Sequence, residues 1–557
     1  MSDRLQAASI IPARYQPPLP LDRLVVNEAP GADAVEVDVV FVGGGPAGLA
    51  GAIELARLAR RDAENGGPLG QLSIAVLEKS AALGEHCLSG AVVNPVAFRE
   101  LFPDVPDAEL PLRDPVTKES VYVLTGRRSI RIPTPPTMRN HGNRLGSICE
   151  IVRWLGERAE ALGVEIFPGF PVASLLTDGS TVRGVRTTPS GLDRNGNAGP
   201  GGMPATDIAA KVTALAEGTR GSLSQAFYEW RGIESRNPQI YALGVKELWE
   251  TTTPLDRVVH TLGWPVPRDA FGGSFMYPLT PNLVALGLVV GLDYPDAGLD
   301  VHVLLQRMKQ HPLFHRYLDG GELVEWGAKT IPEGGWHALP RRRHGDGIVV
   351  LGDAAGFVEV ASLKGIHYAM HSGMLAARTI FDALRNDDVS AAGLAPYDRA
   401  VNDSFIAGDL RARRNMRLAF KDGFLRGGIK AALMTLSGGR FPGAEIDSMP
   451  DAQEPKSARP AARLGSDEAL IVRKLDAVFK SGNQTRDDIP SHLIAAGDVP
   501  GDVAELYAHM CPAAVYERDG DRLVVNAPNC IDCKATDVLG PRWTPREGGS
   551  GPKYRRM

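Results

Sequence analysis

The stretch Glu36 to Arg60 reads EVDVVFV, then GGGPAG, then LAGAIELARLAR, and its three parts decide the fold. Glu36 to Val42 is a short β-branched run of the kind found in a buried parallel strand. It enters a glycine turn, and the following residues have helical spacing. In that context Gly43 permits the tight turn, Gly45 lets a pyrophosphate approach the backbone, and Gly48 allows close helix–strand packing. The helix N-terminus offers free N–H groups and a positive dipole end to phosphates. After a polar, Gly-rich loop, a second strand over Leu72 to Leu77 ends at Glu78. A carboxylate there can accept ribose hydroxyls; its late position relative to the usual ~20-residue spacing follows from the long loop. Far along the chain a second strand–turn–helix reads Ile348 to Leu351, then Gly352-Asp353-Ala354-Ala355-Gly356. Asp353 either caps that helix or faces a cofactor. Two such distant turns favour FAD, which is long enough to use both, over NAD.

Outward from this core the composition sets bounds. The chain has 557 residues, 61 Lys plus Arg against 66 Asp plus Glu, and a formal charge of −5. That balance argues against nucleic-acid binding. Five cysteines are too few for a disulfide scaffold and suit a reducing compartment. Residues 1–20 contain charges and prolines and no apolar core of a signal peptide. No uncharged run reaches the ~18 residues of a spanning helix.

Three cysteines crowd the C-terminus: Cys511-Pro512, then Cys530-Ile531-Asp532-Cys533. This is an iron–sulfur pattern, but the next expected ligand position holds Thr536. Asp537 or water are alternatives for the fourth place. Cys87 and Cys149 have no such partners and read as small buried hydrophobes. His86 and His367 read as packed, hydrogen-bonded histidines. Neither a Ser-His-Asp pattern nor a zinc spacing is present, so no conventional catalytic residue is expected. Electron transfer needs cofactors held close together. Gly191 to Met203 reads as a loop, and residues 446–468, polar and Pro-rich, as a linker. Phe420 to Leu436 (FKDGFLRGGIKAALMTL) places Leu425, Ile429, Ala432, Leu433 and Leu436 on one helical face, as in an interfacial helix.

Several blocks resemble the electron-transfer flavoprotein–ubiquinone oxidoreductase family. They are GEHCLSGAVVNPVAF (84–98), KVTALAEGTRGSLS (211–224), GVKELWE (244–250), GWPVPRDAFGGSFMY (263–277), VALGLVVGLDY (284–294), LKGIHYAMHSGMLAA (363–377), CPAAVYE (511–517), NAPNC (526–530) and the closing WTPREGGSGPKYRRM. The resemblance implies an α/β protein with a glutathione-reductase-like, Rossmann-type FAD-binding fold, an interleaved sheet-containing quinone domain and a C-terminal ferredoxin-like iron–sulfur domain. It implies FAD, a [4Fe-4S] cluster and ubiquinone, with electron-transfer flavoprotein as the electron-donating partner. Gly43, Gly45, Gly48, Glu78 and Asp353 match FAD positions; Gly272 and Gly273 match glycines beside the quinone head group. Cys511, Cys530 and Cys533 match three of four cluster ligands.

The expected organisation is an irregular arm over 1–35; an FAD domain over 36–110, 145–225 and 341–400; and a quinone and membrane-contact region over 111–144, 226–340 and 401–445. The linker 446–468 and the cluster domain 469–557 follow. The expected location is peripheral, on the cytoplasmic face of a bacterial inner membrane. The competing readings are an FAD-dependent monooxygenase or lipid reductase with a vestigial cluster domain, and a non-enzymatic scaffold for the flavoprotein partner.

Overall fold

The β-branched run becomes strand β1 (Val35–Val42), and Val39 through Val42 are buried because the strand lies in mid-sheet. This is a computed structural model, and it describes residues 9–441, 443–458 and 470–557. β1 pairs in parallel with β2 (Ile74–Glu78) on one side and β3 (Asp207–Leu215) on the other. Beyond these, Glu165–Pro168 joins β2 and Ile348–Val350 joins β3, both in parallel. Three antiparallel strands and one short parallel one extend this to a nine-stranded sheet. Two helices cover one face: α1 (Pro46–Glu64) and α2 (Ile366–Arg385). They approach closely because Gly51 and Gly373 meet where they cross: a Cβ on Gly373 would lie 2.2 Å from the Ala47 carbonyl oxygen.

A second sheet of seven strands is built mainly from β4 (Tyr241–Glu250), β5 (Val258–Gly263), β6 (Gly272–Thr280), β7 (Leu283–Gly291) and β8 (Glu322–Pro332). Its order is β8-β4-β7-β6-β5, continued by Glu119–Leu124 and Ser129–Ile132. Within its core Glu247 is fully buried, accepting from Lys309 Nζ at 3.0 Å, Gln306 at 3.1 Å and the Trp249 indole at 2.7 Å. A charge so placed is tolerable because a lysine pairs with it and two further donors bond its oxygens.

The cysteine-bearing end shares that core. Leu506, Tyr507, Val538 and Leu539 pack in one cluster with Leu286, Leu288 and Trp326 of the sheet, and Thr330 N donates to Cys533 O at 2.9 Å.

Three expectations change. The N-terminal arm, from residue 9 on, is built in. Val25–Val26 adds a parallel strand beside Val172–Asp178, and the Gln16 amide donates to the carbonyls of Asp537 and Gly540 at 3.0 and 3.1 Å. Gly191 to Met203 contains a two-stranded hairpin rather than a loop, held by Glu547, which accepts from Gly191 N. The linker reading is corrected over 446–458: Asp451 and Lys456 are buried, Asp451 accepts from Tyr241 N, and Lys456 Nζ donates to the carbonyls of Leu292 and Tyr294. Prolines limit regular structure there, but not docking through buried polar groups. Residues 459–468 of that linker lie outside the described residues.

Replacing Lys309 by Met leaves the Glu247 charge unpaired. Urea unfolding of the variant should show a loss of about 3–5 kcal/mol, largely recovered when Glu247→Leu is added.

Candidate cofactor and metal sites

The first turn has the geometry its residues dictate. Gly43 has φ +116°, and a Cβ on it would lie 2.3 Å from the Ala216 carbonyl oxygen. A Cβ on Gly48 would lie 2.1 Å from the Gly43 carbonyl oxygen. Around Gly45 a Cβ would meet nothing within 4 Å, so a phosphate can reach the backbone where α1 begins without a side-chain cap. Glu78 closes the far end of β2. Its Oε2 accepts from Gly44 N at 2.9 Å, and its Oε1 from Ser80 N and Oγ at 2.9 Å.

Behind the turn lies a cavity of about 350 Å³, in the size range of cofactor sites. Gly43, Gly45, Glu78 and Asp353 all line it. Asp353 sits in a short 3₁₀ turn, Gly352–Ala355, and burial pushes its carboxyl up to about 6. The second sheet forms the opposite wall. Strand alternation (period two) brings Lys246, His260, Phe275, Tyr277 and Lys329 to the cavity. Tyr277 and His260 share a 2.6 Å hydrogen bond between hydroxyl and Nε2, and Phe275 stacks on Tyr277. Burial lowers His260 to about 3, so it is neutral. Lys246 is buried with no partner for Nζ, and burial lowers it to about 8. Sequence reading missed this wall; the signal available was ionisable residues, Lys246, His260 and Lys329, inside largely apolar strands.

Gly272 and Gly273 are not among the residues lining the cavity, but Val289, the cross-strand partner of Gly273, is. Here the sheet itself requires glycine. A Cβ on Gly272 would lie 2.4 Å from the Val289 carbonyl oxygen, and one on Gly273 2.9 Å from that of Thr261. The preceding Phe271 packs on Phe420 and under the Arg417 guanidinium.

The three C-terminal thiols are buried and line one small internal chamber with Tyr516, Thr536 and Ala513. Backbone N–H groups reach the sulfurs, including Ala513 N to Cys511 Sγ at 3.5 Å. Burial pushes Cys530 up to about 12, and burial together with the neighbouring Cys511 and Cys530 raises Cys533 as well. Three crowded thiols that resist ionisation without a compensating cation are a donor set suited to iron. Asp537 does not line the chamber, which corrects its candidacy as fourth ligand. Its carboxylate is held by Arg220 Nε at 2.7 Å, Gln225 at 3.2 Å and Trp543 N at 3.2 Å.

Between chamber and cavity stands Asp532, the residue inside the Cys-x-x-Cys pair. Its oxygens accept from Lys79 Nζ at 2.7 Å, Arg546 at 2.9 Å and the Trp543 indole at 3.0 Å. Burial opposes its charge, but Arg546 and Lys79 hold it well below the usual carboxylate range. Lys79, Lys534 and Trp543 also line the cavity. His86 faces Asp532 from the cavity side, its Nδ1 3.6 Å from the carboxylate. His367 packs against Tyr368 and Phe405, and Cys149 donates to the Cys87 carbonyl.

Helix α3 (Phe424–Leu436) presents Ile429 (64% exposed) and Leu436 (84% exposed), with Leu433 and nearby Phe441 also exposed. The Leu425 side chain lies outside the described residues. Among the described residues no helix is long and apolar enough to cross a membrane.

A nucleotide turn, a cavity walled by a second sheet and a buried thiol chamber on a shared core define an oxidoreductase of flavoprotein type with an iron–sulfur tail. The family model described as "ETF-QO, ubiquinone-binding" matches residues 241–331, and "Electron transfer flavoprotein-ubiquinone oxidoreductase, 4Fe-4S" matches 468–555. The mitochondrial electron transfer flavoprotein-ubiquinone oxidoreductase of Caenorhabditis elegans is 36% identical, covering 93% of this chain and 92% of that one. That of Oryza sativa subsp. japonica is 37% identical (95% and 94%), and that of Homo sapiens 36% (94% and 90%). The chain belongs to the electron transfer flavoprotein–ubiquinone oxidoreductase family. Among solved structures, a geranylgeranyl bacteriochlorophyll reductase-like protein from Thermoplasma acidophilum shares the fold, with TM-score 0.55 at 18% identity over 73% of this chain and 92% of that one. A flavin-dependent brominase shares it with TM-score 0.51 at 17% identity, over 73% and 94%.

Two outcomes follow from this geometry. Gly45→Val puts a branched side chain into the open space at the turn, and the purified protein should carry little FAD by its visible spectrum. Full FAD occupancy would place the cofactor elsewhere. Lys246→Met should stabilise the FAD-free protein at pH 7. The folded lysine titrates near 8 against an ordinary 10.5, so below pH 8 its full desolvation cost is borne, on the order of 3 kcal/mol. The gap between variant and parent should close as pH rises from 8 to 10.5.

Proposed function

We propose that this chain oxidises reduced electron-transfer flavoprotein and reduces ubiquinone, with FAD and an iron–sulfur cluster carrying the electrons. The observation that carries this reading is convergence. The glycine turn, the sheet that matches the ubiquinone-binding model, and Lys534 and Trp543 of the cysteine domain all line one cavity. FAD, when bound, supplies the capacity to take up and release electrons. The protein's part is to hold it still and keep water out.

In this reading Gly43, Gly45 and Gly48 hold the diphosphate, Glu78 the ribose, and Asp353 the far half of FAD in a glutathione-reductase-like fold with the quinone domain interleaved in sequence. The hydrogen-bonded His260–Tyr277 pair holds a proton beside the cavity at neutral pH, and Asp353, raised to about 6, takes one up only below neutrality; quinone reduction consumes protons. Gly272 and Gly273 run along the strand end next to Val289, where backbone groups lie within reach of a quinone carbonyl. The exposed face of α3 lies along the sequence from Arg417 and Phe420, which pack on Phe271. A lipid-soluble quinone entering from a membrane beneath α3 would therefore arrive near the glycine pair. The expected setting is the cytoplasmic face of a bacterial inner membrane.

Quinone reduction driven by enzymatically reduced electron-transfer flavoprotein tests this reading; turnover with NAD(P)H instead would favour a monooxygenase or lipid reductase of the same fold. Replacing Ile429, Leu433 and Leu436 with Ser should cut liposome binding and turnover with long-tailed quinone several-fold, while a water-soluble analogue is still reduced. Unchanged liposome binding would return α3 to the protein core.

A further inference from the structure

We propose that the cluster in this chain is site-differentiated: Cys511, Cys530 and Cys533 bind three irons, and the fourth iron faces Thr536 and Tyr516 with no protein ligand. This inference rests on the reading above that the tail holds an iron–sulfur cluster, and concerns the one corner at which this chain departs from four thiolates.

The fourth corner is closed by two hydroxyls. Thr536 stands in the first turn of α4 (Ala535–Leu539), and it lines the thiol chamber. Its Oγ1 donates to the Pro541 carbonyl at 3.0 Å and is hydrogen-bonded to the buried Tyr516 hydroxyl. The threonine proton is thus spent on a backbone carbonyl, and what faces the chamber is a neutral oxygen, a weak ligand beside a thiolate.

Every other donor nearby is either committed, as Asp537 and Asp532 are, or stands outside the chamber, as His492 with its unpartnered Nε2 does. Asp537, one residue on, is rotated by ~100° around the helix and is held by Arg220. Asp532 is held by Lys79, Arg546 and Trp543. His492 comes within 4.8 Å of Cys530 and Asp532, yet does not line the chamber. The remaining cysteines, Cys87 and Cys149, do not line it either.

An iron held only by three bridging sulfides is the one that leaves. One-electron oxidation converts [4Fe-4S]²⁺ into [3Fe-4S]⁺ plus Fe²⁺, the electron going to the oxidant. The three cysteine-bound irons stay, because a three-iron cluster needs only three thiolates. Added Fe²⁺ and a one-electron reductant reverse the step.

The test uses the full chain with FAD, purified and reconstituted anaerobically, then treated with one equivalent of ferricyanide. The parent protein should lose about one iron of four and show the EPR signal of an oxidised three-iron cluster, abolished by ferrous iron plus dithionite. Thr536→Cys should keep its iron and stay EPR-silent when oxidised. Thr536→Ala should lose iron at the parent rate within about twofold, since no bond to oxygen is removed. FAD content reports folding throughout. Three results would each overturn the proposal: a parent that keeps its iron and remains silent, a Thr536→Ala that loses iron tenfold faster, or protein with full FAD and no iron or sulfide. Flavin reduction by the reduced partner, measured alongside, fails only if the functional reading fails.

Discussion

Asp532 is the fixed point of the molecule. It sits between two of the cluster cysteines in a left-handed conformation, φ +54°, which costs a non-glycine residue about 1–2 kcal/mol. It is 1% exposed, so a lone charge there would be prohibitive. What makes it tolerable is that its partners come from both ends of the chain: Lys79 directly follows Glu78 at the ribose end of β2, and Arg546 and Trp543 follow the cysteines. The carboxylate cannot be satisfied unless the cysteine domain is seated against the nucleotide-binding sheet. Seating is therefore imposed by desolvation, and with it the separation between cavity and thiol chamber.

A second buried pair repeats the device. Asp537 faces Arg220, itself at φ +51° in the loop after β3. Gln16 from the N-terminal segment bonds the carbonyls of the same short helix. Arg417 does the equivalent on the other side, bridging Glu333 and Asp293 at 2.7 and 2.8 Å and covering Phe271. One network fixes the thiol chamber to the cavity; the other fixes the turn before α3 to the glycine-bearing strand. Neither uses a flexible tether, and residues 446–458, with the look of a tether in sequence, are locked down by Asp451 and Lys456.

What was legible in the sequence was local. The β1–turn–α1 unit shows in hydrophobic period and glycine spacing alone: Gly43 and Gly48 sit against backbone that excludes a side chain, and Gly45 faces open space. The three thiols were legible because metal chemistry enforces spacing. Partners set by long-range register were not. Lys246 and His260 look like ordinary strand residues until β4 to β7 are aligned, when the same alternation puts them on a cavity wall. Asp532 looks like a spacer because its partner Lys79 is 453 positions away. Asp537 looked available because it is adjacent to Thr536, but one step along a helix changes the face. The Gly272-Gly273 pair was read for a ligand, while the sheet by itself already excludes a side chain at both positions.

The cavity is lined by charges of both signs, and their burial bears on its task. Lys79, Lys246, Lys329, Lys364 and Lys534 line it together with Glu78, Glu217, Glu333, Asp353 and Glu359, and burial lowers Lys246, Lys329, Lys364 and Lys534 below their ordinary values. Buried lysines such as Lys246 weaken the fold, since burial disfavours their charged form. An anionic diphosphate, and electrons arriving on a bound cofactor, reverse the sign of that cost: the same lysines then face negative charge in a site of low dielectric. The arrangement gives up stability in the cofactor-free protein to gain affinity for the charged, loaded state, and Asp532 pairs with Lys79 on the chamber side.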